Sequence, residues 1–181
     1  SSDKNFVITF NGEIYNYTEI KETLMMNVSD FKSESDTEVL LECFRENGVK
    51  SFEKFNGMFS FSILDKKKRK VYLARDRFGI KPLYYFSNEE TFAFASEIKA
   101  IKKILDIKKI DESHLPEWSY FGNTLGAETL YKDVKQLRPG HYLEVDIDTL
   151  KMKEFRFWKP KYENLKTIHN EAEIIDKTKL L

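Results

Sequence analysis

An α+β fold is what this sequence predicts, and three observations carry it. Two stretches near the start have helical spacing, the middle alternates as strands do, and short helical stretches are scattered after it. The first strand covers residues 4–10, where Phe6-Val7-Ile8-Thr9-Phe10 runs into Asn11-Gly12. Asn-Gly after an apolar run signals a tight turn, because both residues tolerate positive φ. The next stretch is helical: residues 15–26 put Tyr17, Ile20 and Leu24 on one face, with Lys21 and Glu22 between them. Two readings of Asn11-Gly12-Glu13 stay open. One is a turn chosen for its backbone geometry. The other is a side-chain amide and a backbone N–H at a strand end, where an oxyanion could be held.

A polar loop spans residues 27–34, and Ser35-Asp36-Thr37-Glu38 opens the second helix. Ser35 with Glu38 three places on has the form of a capping box, and Asn47-Gly48 closes the far end. Val39, Leu40, Cys43 and Phe44 form one apolar stripe, so Cys43 is expected as a buried small hydrophobe rather than a reactive thiol. Residues 51–55 make a short helical turn. Residues 58–65 alternate aromatic with small side chains, as a strand with two unlike faces should, and residues 71–75 return. Between them, Lys66-Lys67-Lys68-Arg69-Lys70 reads as a solvated hairpin tip in preference to a nucleic-acid patch.

A second hairpin pairs residues 83–87 with 91–96 around Asn88-Glu89-Glu90, and residues 97–105 form a short helix. Asp111 caps a further helical segment that reaches Phe121 and stops at Gly122. Residues 122–126 are a loop, and residues 130–137 lead to a turn at Arg138-Pro139-Gly140. Residues 141–147 and 151–158 form the last hairpin, around Asp148-Thr149. Beyond Pro160 the composition shifts to Lys, Glu and Asn. Residues 1–160 are therefore expected as one domain and 161–181 as a linker entering a further domain.

At 41% hydrophobic and 14% aromatic, 181 residues can fill a core, which excludes disorder as the default. Thirty basic and thirty acidic residues cancel, which argues against nucleic acid or an anionic membrane as the main partner. No apolar run approaches the roughly 18 residues of a membrane span, and no signal peptide opens the chain. One cysteine rules out an internal disulfide framework and fits a cytoplasmic location. His114, His141 and His169 have no helical partner that would make a metal site.

Five blocks, taken together, resemble one family. They are Asn11-Gly12-Glu13-Ile14-Tyr15-Asn16-Tyr17, Ser35-Asp36-Thr37-Glu38, Asn56-Gly57-Met58-Phe59, Arg75-Asp76-Arg77-Phe78-Gly79-Ile80-Lys81-Pro82-Leu83-Tyr84-Tyr85 and Phe94-Ala95-Ser96-Glu97-Ile98-Lys99. In that order and spacing they look like the class II, N-terminal-nucleophile glutamine amidotransferase domain of glutamine-hydrolysing asparagine synthetases. The resemblance sharpens the fold to a four-layer αββα sandwich, two antiparallel sheets between helical layers, here without its opening strands. It also implies a substrate, glutamine, and a nucleophile. In the family that nucleophile is the first residue of the mature chain, a cysteine whose own α-amine relays the proton.

Carried over by position, Asn11 would offer its amide and Gly12 its N–H to the oxyanion. Asp36, with Glu13 beside it, would hold the substrate ammonium. Asp36 equally suits a first-turn aspartate at a helix start. The Asn11 amide and the Asp36 carboxylate are expected to converge on one cavity. The Arg75 to Leu83 block stands between a structural role under the glutamine pocket and direct chemistry. This chain starts Ser1-Ser2-Asp3, and the family's carboxylate-binding arginine lies upstream of Ser1. The 181 residues alone are therefore expected to be inactive.

By the same resemblance no cofactor belongs to this part, while ATP and Mg²⁺ belong to a C-terminal synthetase domain of the same chain that uses the released ammonia. A homodimer stays open. Three alternatives also stay open: amidation of a carboxylated sugar for surface polysaccharide, a glucosamine-phosphate or phosphoribosylamine type of enzyme, and a non-catalytic scaffold domain.

Overall fold

The computed structural model describes residues 1–25 and 31–161. Five strands form one antiparallel sheet in the order β1-β2-β3-β7-β8, from β1 (Phe6–Ile14), β2 (Gly57–Asp65), β3 (Lys70–Arg75), β7 (His141–Asp146) and β8 (Met152–Arg156). Three more form a second sheet in the order β5-β4-β6, from β4 (Tyr84–Ser87), β5 (Phe92–Ala95) and β6 (Val134–Gln136). Helices α1 (Tyr17–Thr23) and α2 (Asp36–Asn47) join the first sheet's core through Ile20, Val39, Leu40, Cys43 and Phe44. Helix α3 (Ile98–Ile104) packs Ile101 with Phe86 and Val134 of the second sheet. Leu73, Leu143 and Val145 of the larger sheet meet Leu83 and Tyr85 between the sheets. The result is the expected αββα order.

The helix-side core is aromatic because β2 alternates. Phe59, Phe61 and Ile63 all face it and are buried. Phe52, from a 3₁₀ turn over Gly48–Lys54, is its centre. Its ring packs on Phe61 at 5.3 Å, Tyr142 at 5.2 Å and Phe44 at 5.6 Å between centroids. Cys43 is buried here as expected, and desolvation pushes its thiol up to about 11.

Several boundaries differ from expectation, each for a physical reason. β1 does not turn at Asn11-Gly12; it continues to Ile14, with Asn11 opposite Ser60 and Gly12 opposite Phe59. Gly12 has φ +145°, and a Cβ there would lie 2.1 Å from the Met58 carbonyl oxygen. The glycine permits a close backbone approach inside a strand rather than a hairpin turn. Helix α1 begins at Tyr17, and Leu24 is already extended, so it is shorter than residues 15–26. The capping box at Ser35 forms only in half. Ser35 Oγ accepts from the Thr37 N–H, but the Glu38 carboxylate accepts from the N–H groups of Lys32 and Ser33 instead of reaching back to Ser35.

The 111–121 segment starts as a 3₁₀ turn at Glu112–His114, with Asp111 accepting from the Ser113 N–H. It continues as α4 (Leu115–Phe121) and stops at left-handed Gly122. At the basic hairpin tip, Arg69 pairs with Asp148 and Lys70 with Glu144 of β7. Among the described residues, no helix is long and apolar enough to cross a membrane. The expected linker falls on residues 162–181, outside the described residues, apart from Lys161.

Candidate functional site

The site is built where β1 meets the start of α2. In an antiparallel pair, neighbouring residues alternate between hydrogen-bonded and non-hydrogen-bonded positions. Both backbone groups of Phe59 are taken by Asp76: its carbonyl accepts the Asp76 N–H at 2.8 Å and its N–H donates to Asp76 Oδ2 at 3.2 Å. Gly12, opposite Phe59, is therefore not bonded to it and turns its own N–H toward the outer edge of β1. Ile14 lies two residues further along that edge. Its N–H donates to Asp36 Oδ2 at 2.9 Å.

That bond settles how Asp36 is used locally. As the first residue of α2 it follows the cap Ser35, and one carboxylate oxygen reaches across to β1 rather than to its own helix. Its other oxygen, Oδ1, accepts from the Thr37 hydroxyl at 3.4 Å. Gly12, Glu13 and Asp36 line one cavity of about 310 Å³, together with Tyr17, Glu34 and Ser35. Glu34 is paired with Lys21 at 3.4 Å, and the carboxylates of Glu13 and Asp36 on the same wall suit an ammonium group. Glu34 was not singled out from the sequence, and Tyr17 only as part of a helix face and a motif. They reach this cavity only because α1, and the chain leading into α2, fold against the end of β1.

The Asn11 side chain lies between the sheets, on the face of β1 that it shares with Glu13 two residues on. Its Nδ2 donates to Ser96 Oγ at 3.2 Å, just past the end of β5. It lines a cavity of about 220 Å³ with Thr9, Ser60, Ser62, Phe94 and Ser96. The expected convergence on one cavity is not seen: Asn11 lines the inter-sheet cavity and Asp36, on α2, the one at the edge of β1, with Gly12 and Glu13 next to Asn11 in the strand. Gly12, Glu13 and Asp36 are brought together; Asn11 stands next to them through the backbone. Ser96 was visible only as part of a motif, with nothing to pair it with Asn11.

The Arg75 to Leu83 block works through backbone contacts. Arg75 donates to the carbonyls of Lys81 at 2.7 Å, Gly79 at 2.7 Å and Leu137 at 2.8 Å, which ties β3 to the loop entering the second sheet. Leu83, at the end of that loop, lines the inter-sheet cavity beside Asn11. Among the described residues, no group of three or more His, Cys, Asp and Glu side chains could hold a metal ion.

Comparison with known proteins decides the family. The model of the glutamine amidotransferase domain matches residues 1–158, nearly the whole described chain. The chain belongs to this family. Within it, the amidotransferase domain is of class II and homologous to those of glutamine-hydrolysing asparagine synthetases. A putative asparagine synthetase [glutamine-hydrolyzing] 2 of Methanocaldococcus jannaschii is 33% identical over 181 residues, 98% of this chain and 34% of that protein. Asparagine synthetase [glutamine-hydrolyzing] 1 of Bacillus subtilis is 39% identical over 146 residues, 81% of this chain and 23% of its own length. The amidotransferase domain thus spans about a third or less of these relatives. A glutamine phosphoribosylpyrophosphate amidotransferase from B. subtilis, solved with ADP and GMP, superposes with a TM-score of 0.58 over 86% of this chain and 30% of its own. At 23% identity, that likeness is one of fold.

Proposed function

We propose that this domain binds glutamine along the end of β1, its ammonium at the outer edge and its side-chain amide turned toward Asn11 between the sheets, and that, in the full-length protein, it releases ammonia from that amide for an asparagine-forming synthetase portion. One observation carries the assignment: Gly12, Glu13 and Asp36 line a single acidic cavity at that edge. In this reading Asp36 and Glu13 hold the substrate ammonium. The Gly12 N–H and the Asn11 amide, which has a second hydrogen beyond the one given to Ser96, stabilise the oxyanion.

The nucleophile is a thiolate that attacks the carboxamide carbon. A C–S bond forms first and gives a tetrahedral oxyanion; the C–N bond then breaks as the nitrogen takes a proton from the nucleophile's α-ammonium and leaves as ammonia, and water cleaves the thioester to glutamate and the free thiol. Cys43 does not serve, because it is buried on the helix side with its thiol pushed up to about 11. It is the one cysteine in residues 1–181, so those residues alone are proposed to bind glutamine without hydrolysing it. ATP and Mg²⁺ belong, in this proposal, to the synthetase portion in the cytoplasm. The test is glutamate release by the full-length protein and asparagine formation from aspartate, ATP, Mg²⁺ and glutamine. Glutamate release without asparagine would keep the glutaminase and discard the acceptor. No glutamate release would discard both.

A further inference from the structure

We propose that Asp76 is a positioning residue for the oxyanion-binding segment, acting through Phe59 on Gly12; this rests on the oxyanion role of Asn11 and Gly12. Asp76 lies one residue past the end of β3, where no strand remains to pair with Phe59, and its side chain takes the missing strand's place. It is fully buried. Its Oδ2 accepts from the N–H groups of Phe59 at 3.2 Å and Lys81 at 2.9 Å, and its Oδ1 from those of Phe78 and Ile80, both at 3.0 Å. Its backbone N–H donates to the Phe59 carbonyl and its own carbonyl accepts from Gly140 at 2.8 Å. One residue thus ties the start of β2 to the 78–81 loop through its carboxylate and to the turn before β7 through its backbone carbonyl.

The consequence for Gly12 is steric. Gly12 makes no hydrogen bond to Phe59 itself; it is held by the pairing of its neighbours Asn11 and Glu13 with Ser60 and Met58 and by close packing, since a Cβ on it would meet Met58 O at 2.1 Å and Phe59 Cα at 2.7 Å. Gly57 fits as tightly against β1, where its Cβ would lie 2.1 Å from Glu13 O. A shift of Phe59 is therefore handed directly to Gly12. Asp36 is carried on α2, and its bond to β1 is at Ile14, two residues beyond Gly12 and opposite Gly57 rather than Phe59. Weakening Asp76 should then misplace the oxyanion donors while sparing the ammonium contact. Misplacement by a fraction of an ångström lowers turnover more than binding.

The experiment is glutamate release by full-length Asp76→Asn, which keeps the side-chain shape but aims an NH₂ at two N–H donors. Expected is a fall in kcat of at least about tenfold with KM for glutamine within about twofold. Hydrogen exchange should speed up in peptides covering residues 10–13 and 58–60 and stay unchanged at Ile14 and in α2. Should Asp76→Asn not fold, Asp76→Glu keeps the charge, moves the carboxylate by one methylene, and is expected to give the same split. Wild-type kcat in either folded variant overturns the proposal. So does a loss of activity that tracks a loss of protection across the whole domain. Asn11→Ala, assayed alongside, separates the two levels. If it too keeps wild-type kcat, the oxyanion assignment fails and the positioning role with it; if it alone loses activity, only the positioning role fails.

Discussion

The two faces of β2 are unlike, and the contrast explains how one strand serves both stability and chemistry. Toward the helices, Phe59, Phe61 and Ile63 are sealed among aromatic rings. Toward the second sheet, Ser60 and Ser62 are equally buried but small and polar, with Thr9 Oγ1 and Ser62 Oγ 2.9 Å apart. Large side chains leave no room on the first face, while small ones leave a cavity of about 220 Å³ beside Asn11 on the second. Folding free energy therefore concentrates on the helix side, and the inter-sheet side is free to hold groups chosen for their chemistry.

Four substitutions sharpen or break this contrast, from the largest effect to the smallest. Phe52→Ala should destabilise the domain by about 3–5 kcal/mol in urea unfolding, because it empties the centre of the aromatic cluster. A loss below about 1 kcal/mol would move the stabilising core away from the helix side. Asn11→Ala should lower glutamine turnover of the full-length protein roughly 100- to 1,000-fold, about 3–4 kcal/mol of barrier, with the unfolding midpoint nearly unchanged. Unchanged turnover would remove Asn11 from the mechanism, and a stability loss as large as that of Phe52→Ala would erase the difference between the faces.

Asp36→Asn should raise KM for glutamine by about tenfold and alter kcat less, as loss of an ammonium contact predicts. A steady-state comparison showing the reverse would count against that role. The smallest effect belongs to Glu38. Desolvation pushes its carboxyl up, but hydrogen bonds from Ser33 and Lys32 outweigh this and hold it below its ordinary value of 4.5. Stability from a depressed carboxyl is present above the unfolded pKa and lost as pH falls through the folded one. Glu38→Gln should therefore cost at most about 1 kcal/mol at neutral pH and converge with the parent protein in acid. A gap that persists in acid would trace the effect to lost packing.

Legibility from sequence tracks the range of the interaction. The α2 stripe, the two-faced β2 and the Gly122 stop can all be read, because each is a repeat or signal within one element. Asn11-Gly12 reads wrongly as the end of a strand, since the local signal for a turn is the same as that for a glycine required by a close neighbour. What distinguishes the cases is Met58, far away in the chain. Glu34, Tyr17 and Ser96 carry no signal of their own. The Arg75 to Leu83 block leaves a structural role and direct chemistry open, and only the fold shows Arg75 and Asp76 each spent on backbone groups.

By itself the amino-acid order determined which side of each helix and strand is apolar, and through its motifs which family the chain resembles, because periodicity and short motifs are properties of neighbouring residues. Only the tertiary structure decided which polar groups meet. Asp36 reaches Ile14 across 22 positions and Asn11 reaches Ser96 across 85, and such encounters depend on strand register and layer packing, which no local pattern encodes.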